Sequence, residues 1–245
     1  MEYYDKLFST EGFLKTGAQA ILLVNDENTL RQVLRARLAA RGYLVHEAST
    51  REEMLQMVPA LQPDVIVLDI GLPDIDGIEV TRRLRLLVQT PIIILSVQAT
   101  ESDKTAALDA GADDYLTKPC ALGELRERIQ AVLLRVEFHD ARVLTAGDLV
   151  VDLNRRLVQV GDNAVRLTTT EYDLLKVLVF NFGRLLTQRR LALEVWGERS
   201  DGSALQMLRT TISTLRQKLD GNPAYRGHIA TEPGVGYRLR IEPST

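Results

Sequence analysis

The sequence predicts two domains: an α/β domain on a doubly wound, five-stranded parallel sheet, then an α+β domain of short strands and three helices. Three observations predict it. The chain has 245 residues, too many for one compact module and enough for two ordinary domains. From Ile21 to about Leu134, short apolar runs alternate with longer helical patterns, the signature of a parallel sheet. Charge divides along the same line. The whole chain sums to −3, yet residues 1–146 carry −6 and residues 147–245 carry +3. An acidic front half and a mildly basic back half point to two jobs.

In order, the predicted front strands are the runs Ile21–Val24, Tyr43–Val45, Val65–Leu68, Ile92–Leu95 and Tyr115–Leu116. Between them Leu30, Val33, Leu34 and Leu38 recur at helical spacing, as do Ile78, Val80, Leu84 and Leu87. Gly111 reads as a helix C-cap. Residues 1–20 form an N-terminal extension, 21–135 the first domain, 136–146 a linker without clear period, and 147–245 the second domain. There, Leu149–Val151 and Leu157–Val160 alternate like half-buried antiparallel strands, and Gly161-Asp162-Asn163 turns the chain toward Val165–Leu167. Thr168-x-x-Glu171 is a capping box opening the first of three helices. Thr187 caps the second, which ends near Trp196-Gly197, and the third spans about Ser203 to Leu219, stopped by Gly221-Asn222-Pro223. The end reads strand, glycine turn, strand, over His228–Thr231 and Tyr237–Ile241.

Composition excludes several classes. At 45% apolar residues the chain can fill two cores and is not disordered. A single cysteine, Cys120, excludes an intramolecular disulfide and a multi-cysteine zinc site. Beside a phosphate site a lone thiol is either a redox sensor or, the plainer alternative, a small apolar filler. No apolar run approaches the roughly 18 residues of a membrane span, and Met1 to Ala20 lacks an apolar signal core. A soluble, cytoplasmic protein is expected.

The chemistry concentrates after the predicted strands. Asn25, Asp26 and Glu27 follow the first, Asp69 the third, Ser96 the fourth, and Thr117, Lys118 and Pro119 the fifth. In an open parallel sheet, ligands bind outside these strand ends at the switch point of the strand order. Carboxylates without His or Cys suit Mg²⁺, which keeps several waters and prefers phosphate company. A hydroxyl and an ammonium beside that ion can neutralise a phosphoryl group. Each carboxylate alone could be a helix cap, but capping does not explain the lysine.

VNDE at 24–27, VIVLDIGLPDIDG around Asp69, ILS ending at Ser96 and GADDYLTKP ending at Pro119 together resemble a response-regulator receiver domain. The resemblance covers about Ile21 to Arg135. It implies Asp69 as phosphoacceptor, fed by a sensor histidine kinase. Mg²⁺ would be held by Asp26, Asp69 and the Gly71 carbonyl, with Asn25 reaching it through water. It further implies Lys118 on the phosphoryl oxygens, a cis Lys118–Pro119 bond, and Ser96 with Tyr115 as the switch pair. Lys104, Asp113, Asp114, Glu124 and Arg128 match the family's receiver-pairing face. Three departures stand out. Asn25 replaces an acidic residue, Val97 replaces a small residue and would crowd the site, and Cys120 replaces phenylalanine.

In the back half, Leu205, Leu208, Ile212, Leu215 and Leu219 step by three and four residues as one buried stripe. Arg209, Ser213 and Arg216 lie on another face beside Thr210, Thr214 and Gln217, residue types that read bases and phosphates in a major groove. A solvated charged face is the plain alternative. LTTTEYDLL (167–175), LLTQRRLALEVWG (185–197), LRTTISTLRQKL (208–219) and GVGYRL (234–239) resemble the winged helix-turn-helix domain of the OmpR/PhoB family. That resemblance implies DNA contacts from Arg209, Thr210, Thr214 and Arg216, from Lys218 and Arg240 on the backbone, and from the wing, Pro233 to Arg238, including Gly236, Tyr237 and Arg238. Trp196 is expected in the core. The implied partners are promoter DNA in direct repeats, a sensor histidine kinase, a second copy of the chain on activation, and RNA polymerase. The stretch ESDKTAALDAGADDYLTKP most resembles the family's KdpE branch, which regulates potassium uptake.

Two rivals remain at this stage. A pseudo-receiver would regulate without phosphate. A phosphatase working through an aspartyl phosphate would want a second Asp two residues after Asp69, where this chain has Gly71.

Overall fold

The structure is a computed structural model. It describes residues 18–70, 77–98, 100–138, 143–197, 203–220 and 227–240, with 134–138 by backbone alone. The N-terminal extension before residue 18, the Gly71 carbonyl and the Gly221-Asn222-Pro223 stop lie outside the described residues.

The front half alternates as its apolar runs predict. The order is β1 (Ala20–Val24), α1 (Asn28–Ala39), β2 (Leu44–Ala48), α2 (Arg51–Leu61), β3 (Val65–Asp69), α3 (Gly77–Leu87), β4 (Ile92–Ser96), α4 (Glu101–Asp109), β5 (Asp114–Thr117) and α5 (Leu122–Phe138). All strand pairs are parallel and the sheet order is β2-β1-β3-β4-β5. The order reverses beside β1, so the switch point lies between the ends of β1 and β3.

Strand period two sorts the core into two layers. Ile21, Leu23, Val65, Val67, Ile93 and Leu95 face α1 and α5 through Leu34, Leu38, Leu125 and Ile129. Leu22, Val24, Ile66, Leu68, Ile92 and Ile94 face the other way, onto Met54, Val58, Val80, Leu84 and Leu108. Burying each such side chain stabilises by about 1.5–3 kcal/mol, so apolar runs without polar interruption are what a sheet covered on both faces demands. Thr50 caps α2 through Glu53 and Thr100 caps α4 through Asp103. Gly111, with φ +115°, ends α4 as predicted. Two helical expectations are corrected: Val33 and Leu87 are exposed.

The back half contains β6 (Val143–Ala146), β7 (Leu149–Asp152), β8 (Leu157–Val160), β9 (Asn163–Ala164), α6 (Thr169–Phe180), β10 (Leu186–Thr187), α7 (Gln188–Trp196), α8 (Ala204–Asp220), β11 (Ile229–Glu232) and β12 (Gly236–Leu239). The four strands β6 to β9 form one antiparallel sheet and β10-β12-β11 another. The supposed linker is mostly structured: α5 continues to Phe138, and Val143–Ala146 pairs with Leu149–Asp152. The Thr168–Glu171 capping box and the Thr187 cap form as predicted. Trp196 packs against the second core, also as expected.

On α8 the buried residues are Ala204, Leu208, Ile212, Leu215, Arg216 and Leu219. Leu205, expected in the stripe, is exposed, and Ala204, four residues before Leu208, is buried in its place. Gly236 lets β12 approach β10, since a Cβ there would stand 1.8 Å from the Leu186 carbonyl oxygen.

Candidate functional site

The first candidate site is the carboxylate cluster at the switch point. The pairing Val24↔Leu68 aligns the next residues, Asn25 and Asp69, at adjacent strand ends. Asp69 is buried, 3% exposed, and Asn25 is fully buried. The Asn25 Nδ2 donates to Asp69 Oδ2 at 2.6 Å, while its Oδ1 accepts from the Glu27 amide at 2.6 Å. Lys118 reaches across from the end of β5 and pairs with the same Asp69 Oδ2. The Lys118–Pro119 bond is cis, as expected. Both positive and hydrogen-bonding partners thus converge on one oxygen of a desolvated carboxylate, which would otherwise be costly to bury.

The Asn25 amide touches Asp69 directly. It supplies a donor where an acidic residue would need a cation between two carboxylates. Asp26 lies exposed beside it. Asp26 and Asp69 are oxygen donors, and one or two carboxylates with water satisfy Mg²⁺. The donor set therefore fits a hydrated Mg²⁺ ion. Among the described residues no cluster of three or more His, Cys, Asp or Glu side chains forms.

Ser96 and Tyr115, the expected switch pair, are linked through a residue that sequence reasoning missed. The Gln98 amide donates to Ser96 Oγ at 3.0 Å, and the Tyr115 hydroxyl donates to the Gln98 carbonyl at 2.8 Å. Tyr115 is already turned inward, 5% exposed, and burial pushes its phenol pKa up. No sequence pattern marks Gln98, because its backbone does the work. Val97, expected to crowd the site, instead points into solvent at 70% exposure. Cys120 is half-buried and burial pushes its thiol pKa up, which favours the apolar filler over the redox sensor.

Part of the expected pairing face lies under the back half: Asp113 and Asp114 are buried, while Glu124 is exposed. Asp113 pairs with Arg85 at 2.6 Å and with Arg184 at 3.5 Å. Asp114 pairs with Arg238, whose Nη2 donates to Oδ1 at 2.7 Å, and with Arg128 at 3.5 Å. Lys104 pairs with Glu232 at 2.8 Å, and Glu124 with Arg128 at 3.7 Å. Arg85 and Arg184 were not singled out from sequence. An i,i+28 or i,i+71 ion pair leaves no local signal.

The second candidate site is α8. Arg209, Thr210, Ser213, Thr214, Gln217 and Lys218 lie along its exposed side. Arg209 Nε donates to Gln188 Oε1 at 3.2 Å, and Thr210 and Thr214 donate to their own helix backbone. Lys218 pairs with Glu171 at 2.6 Å. That ammonium and the Thr168 cap outweigh burial and hold the Glu171 carboxyl below its ordinary pKa.

Four expected DNA contacts are corrected. Arg216 is buried, donating to the Ile229 carbonyl at 2.6 Å and to Thr231 Oγ1 at 2.7 Å. Its guanidinium lies over the Tyr237 ring and braces α8 against the wing strands. Tyr237 belongs to the core and Gly236 is buried between strands. Arg238 is turned onto Asp114 and is 7% exposed. Of the wing, Pro233 and Gly234 remain exposed.

Comparison with known proteins covers both halves of the chain. The response regulator receiver domain family matches residues 21–130, and the family "Transcriptional regulatory protein, C terminal" matches residues 162–239. The chain is 44% identical over 223 residues to the KDP operon transcriptional regulatory protein KdpE of Escherichia coli, covering 90% of this chain and 99% of that one. It is 38% identical over 222 residues to a KdpE of Mycobacterium tuberculosis (89% and 98% covered). Against the response regulator MprA of Mycobacterium avium it is 41% identical over 231 residues (91% and 99% covered). The chain belongs to the OmpR/PhoB-type two-component response regulators, DNA-binding transcription factors whose receiver domain is phosphorylated.

Proposed function

We propose that Asp69 is the phosphoacceptor and that its phosphorylation licenses promoter binding by α8. The observation that carries this reading is the convergence of Lys118 and Asn25 on the buried Asp69 carboxylate at the sheet's switch point. In the transfer, an Asp69 oxygen attacks phosphorus, the P–N bond of a sensor-kinase phosphohistidine breaks, and the imidazole leaves. Lys118 then holds the phosphoryl oxygens. Mg²⁺, held by Asp26 and Asp69 with the Gly71 carbonyl, would supply further positive charge there. Ser96 closes on the phosphoryl group, and its bond to Gln98 passes the movement to Tyr115.

Binding uses the exposed side of α8. Arg209, Thr210 and Thr214 face the groove, and Lys218 and Arg240 serve the backbone. A net +3 on residues 147–245 makes one copy a weak binder. Two copies on direct repeats share the electrostatic load, so receiver pairing belongs to the DNA-binding step. The cytoplasm is the proposed location, with RNA polymerase as a further partner. A potassium-uptake operon is the proposed target, on the likeness to KdpE. Incubation with acetyl phosphate and Mg²⁺ tests the phosphoacceptor. Intact mass should gain one phosphoryl adduct, and Asp69→Ala should gain none. An unmodified wild-type chain overturns the assignment in favour of a pseudo-receiver.

A further inference from the structure

Each backbone and side-chain polar atom of the buried Asn25 has a partner, and one partner comes from outside the phosphoacceptor pocket. The Asn25 amide donates to the Ala48 carbonyl at 3.1 Å, and its side chain is shared between Asp69 and the Glu27 amide. Its carbonyl accepts from Arg31 Nη1 at 2.6 Å. Arg31 is the fourth residue of α1, and its side chain is 15% exposed. The same guanidinium donates to Asn28 Oδ1 at 3.1 Å and pairs with Glu47 of β2 at 3.3 Å. One rigid fork thus joins the end of β1, the start of α1 and the edge strand β2.

We propose that Arg31 is a positioning residue for the ion-binding loop Asn25-Asp26-Glu27. The inference rests on the proposed Mg²⁺ site and names the side chain that aims its exposed ligand. The peptide between Asn25 and Asp26 is planar, so a bond to the Asn25 carbonyl fixes the plane from which Asp26 departs. Asp26 is exposed, so backbone geometry rather than packing sets where its carboxylate points. The start of α1 is otherwise weakly held. Glu27, its N-cap, makes no side-chain cap bond, and its first turn carries no acidic residue.

Arg31 does not serve the ion by its charge. A guanidinium beside the loop repels a divalent cation. Its partner Glu47 is shared with Arg35, also at 3.3 Å, which leaves the cluster of three side chains net positive. Geometry and charge therefore push Mg²⁺ affinity in opposite directions, and removal of Arg31 reports which one wins. Without the fork, the Asn25 carbonyl loses a charged donor inside a buried residue. Asp26 must then be ordered by the ion itself, and that ordering is subtracted from the ion's affinity.

Calorimetric Mg²⁺ titration of the full-length chain tests the proposal with two variants. Arg31→Met keeps an unbranched stem and removes both charge and fork. Asn28→Ala removes one anchor of the fork without changing charge. Circular dichroism checks the folding of each. Arg31→Met should bind Mg²⁺ about tenfold more weakly, the scale on which metal sites lose affinity with an outer hydrogen-bond partner. Asn28→Ala should weaken binding in the same direction by less, and it carries the test alone if Arg31→Met does not fold. In acetyl phosphate reactions of Arg31→Met, raising Mg²⁺ should restore the rate, so the half-saturating Mg²⁺ concentration shifts rather than the limiting rate. Equal or tighter Mg²⁺ binding by folded Arg31→Met, or unchanged binding by Asn28→Ala where it stands alone, overturns the positioning role and leaves the ion site standing. A rate that extra Mg²⁺ does not restore also overturns it, since the damage then lies in the pocket at large. Absence of Mg²⁺ binding by the wild type overturns the ion site itself and this inference with it.

Discussion

Asn25 and Asp69 are joined by a 2.6 Å hydrogen bond in which the amide donates to the same carboxylate oxygen that pairs with Lys118. An acidic residue at position 25 would face Asp69 with like charge, and a cation would have to separate the two. The amide removes that requirement, so the pocket is stable before any ion arrives. The same exchange removes one negative charge from the ion's surroundings. Near 4 Å and an effective dielectric of about 20, that charge is worth about 4 kcal/mol before screening by water.

Asn25→Asp is therefore expected to separate stability from ion binding. Without Mg²⁺ the variant should lose about 1–3 kcal/mol, from the lost hydrogen bond and the new repulsion. With Mg²⁺ it should recover, and its Mg²⁺ affinity should exceed that of the wild type by about tenfold or more. Thermal melts across a Mg²⁺ titration read both effects. Equal Mg²⁺ stabilisation in the two proteins would mean that position 25 does not sense the ion.

Two arginines one α8 repeat apart should behave differently. Arg209 is exposed, whereas Arg216 is buried with its guanidinium on Ile229 and Thr231. Arg209→Ala should leave stability within about 0.5 kcal/mol and cost about 1–3 kcal/mol of DNA affinity. Arg216→Ala should lower stability by about 3 kcal/mol, because two acceptors lose their donor and the ring of Tyr237 loses its cover. Denaturant melts beside DNA titrations distinguish them. A stable Arg216→Ala that binds DNA poorly would return Arg216 to the groove.

His228 joins three parts of the second domain. Its Nε2 lies 2.8 Å from Asp148, and its Nδ1 pairs with Asp220 at the end of α8. Burial works against the imidazolium, but the two carboxylates outweigh it and raise the His228 pKa above 6.5. The folded chain thus holds this proton more tightly than the unfolded chain. The contact stabilises most below the unfolded pKa of about 6.5 and fades as pH rises through the higher folded pKa. The stability gap between wild type and His228→Gln should accordingly be wider at about pH 6 than at about pH 9. A gap that widens with pH would contradict a charged His228.

What the sequence made legible follows from the range of each interaction. Ile92–Leu95 reads as a buried strand because both of its faces are covered, and Thr168 with Glu171 reads as a cap because the two are three residues apart. Asp69 and Lys118 are legible because parallel strands bring their ends to one edge. Arg238 is different. Its partner Asp114 is 124 residues away, and a guanidinium in sequence looks the same facing a phosphate or a buried carboxylate. The two-residue strand β10 has no pattern of its own and exists through its pairing with Tyr237 and Gly236. Likewise Ala204 and Leu205 both stand at helical spacing from Leu208, four and three residues before it, and spacing alone does not say which of the two is buried.

Footprinting of the full-length chain on promoter DNA, with and without acetyl phosphate, tests most directly the claim that phosphorylation of Asp69 licenses promoter binding by α8. The account predicts protection of two direct-repeat half-sites about one helical turn apart, appearing at lower protein concentration after acetyl phosphate. Asp69→Ala should show no such shift. Identical protection for treated wild type, untreated wild type and Asp69→Ala would contradict it.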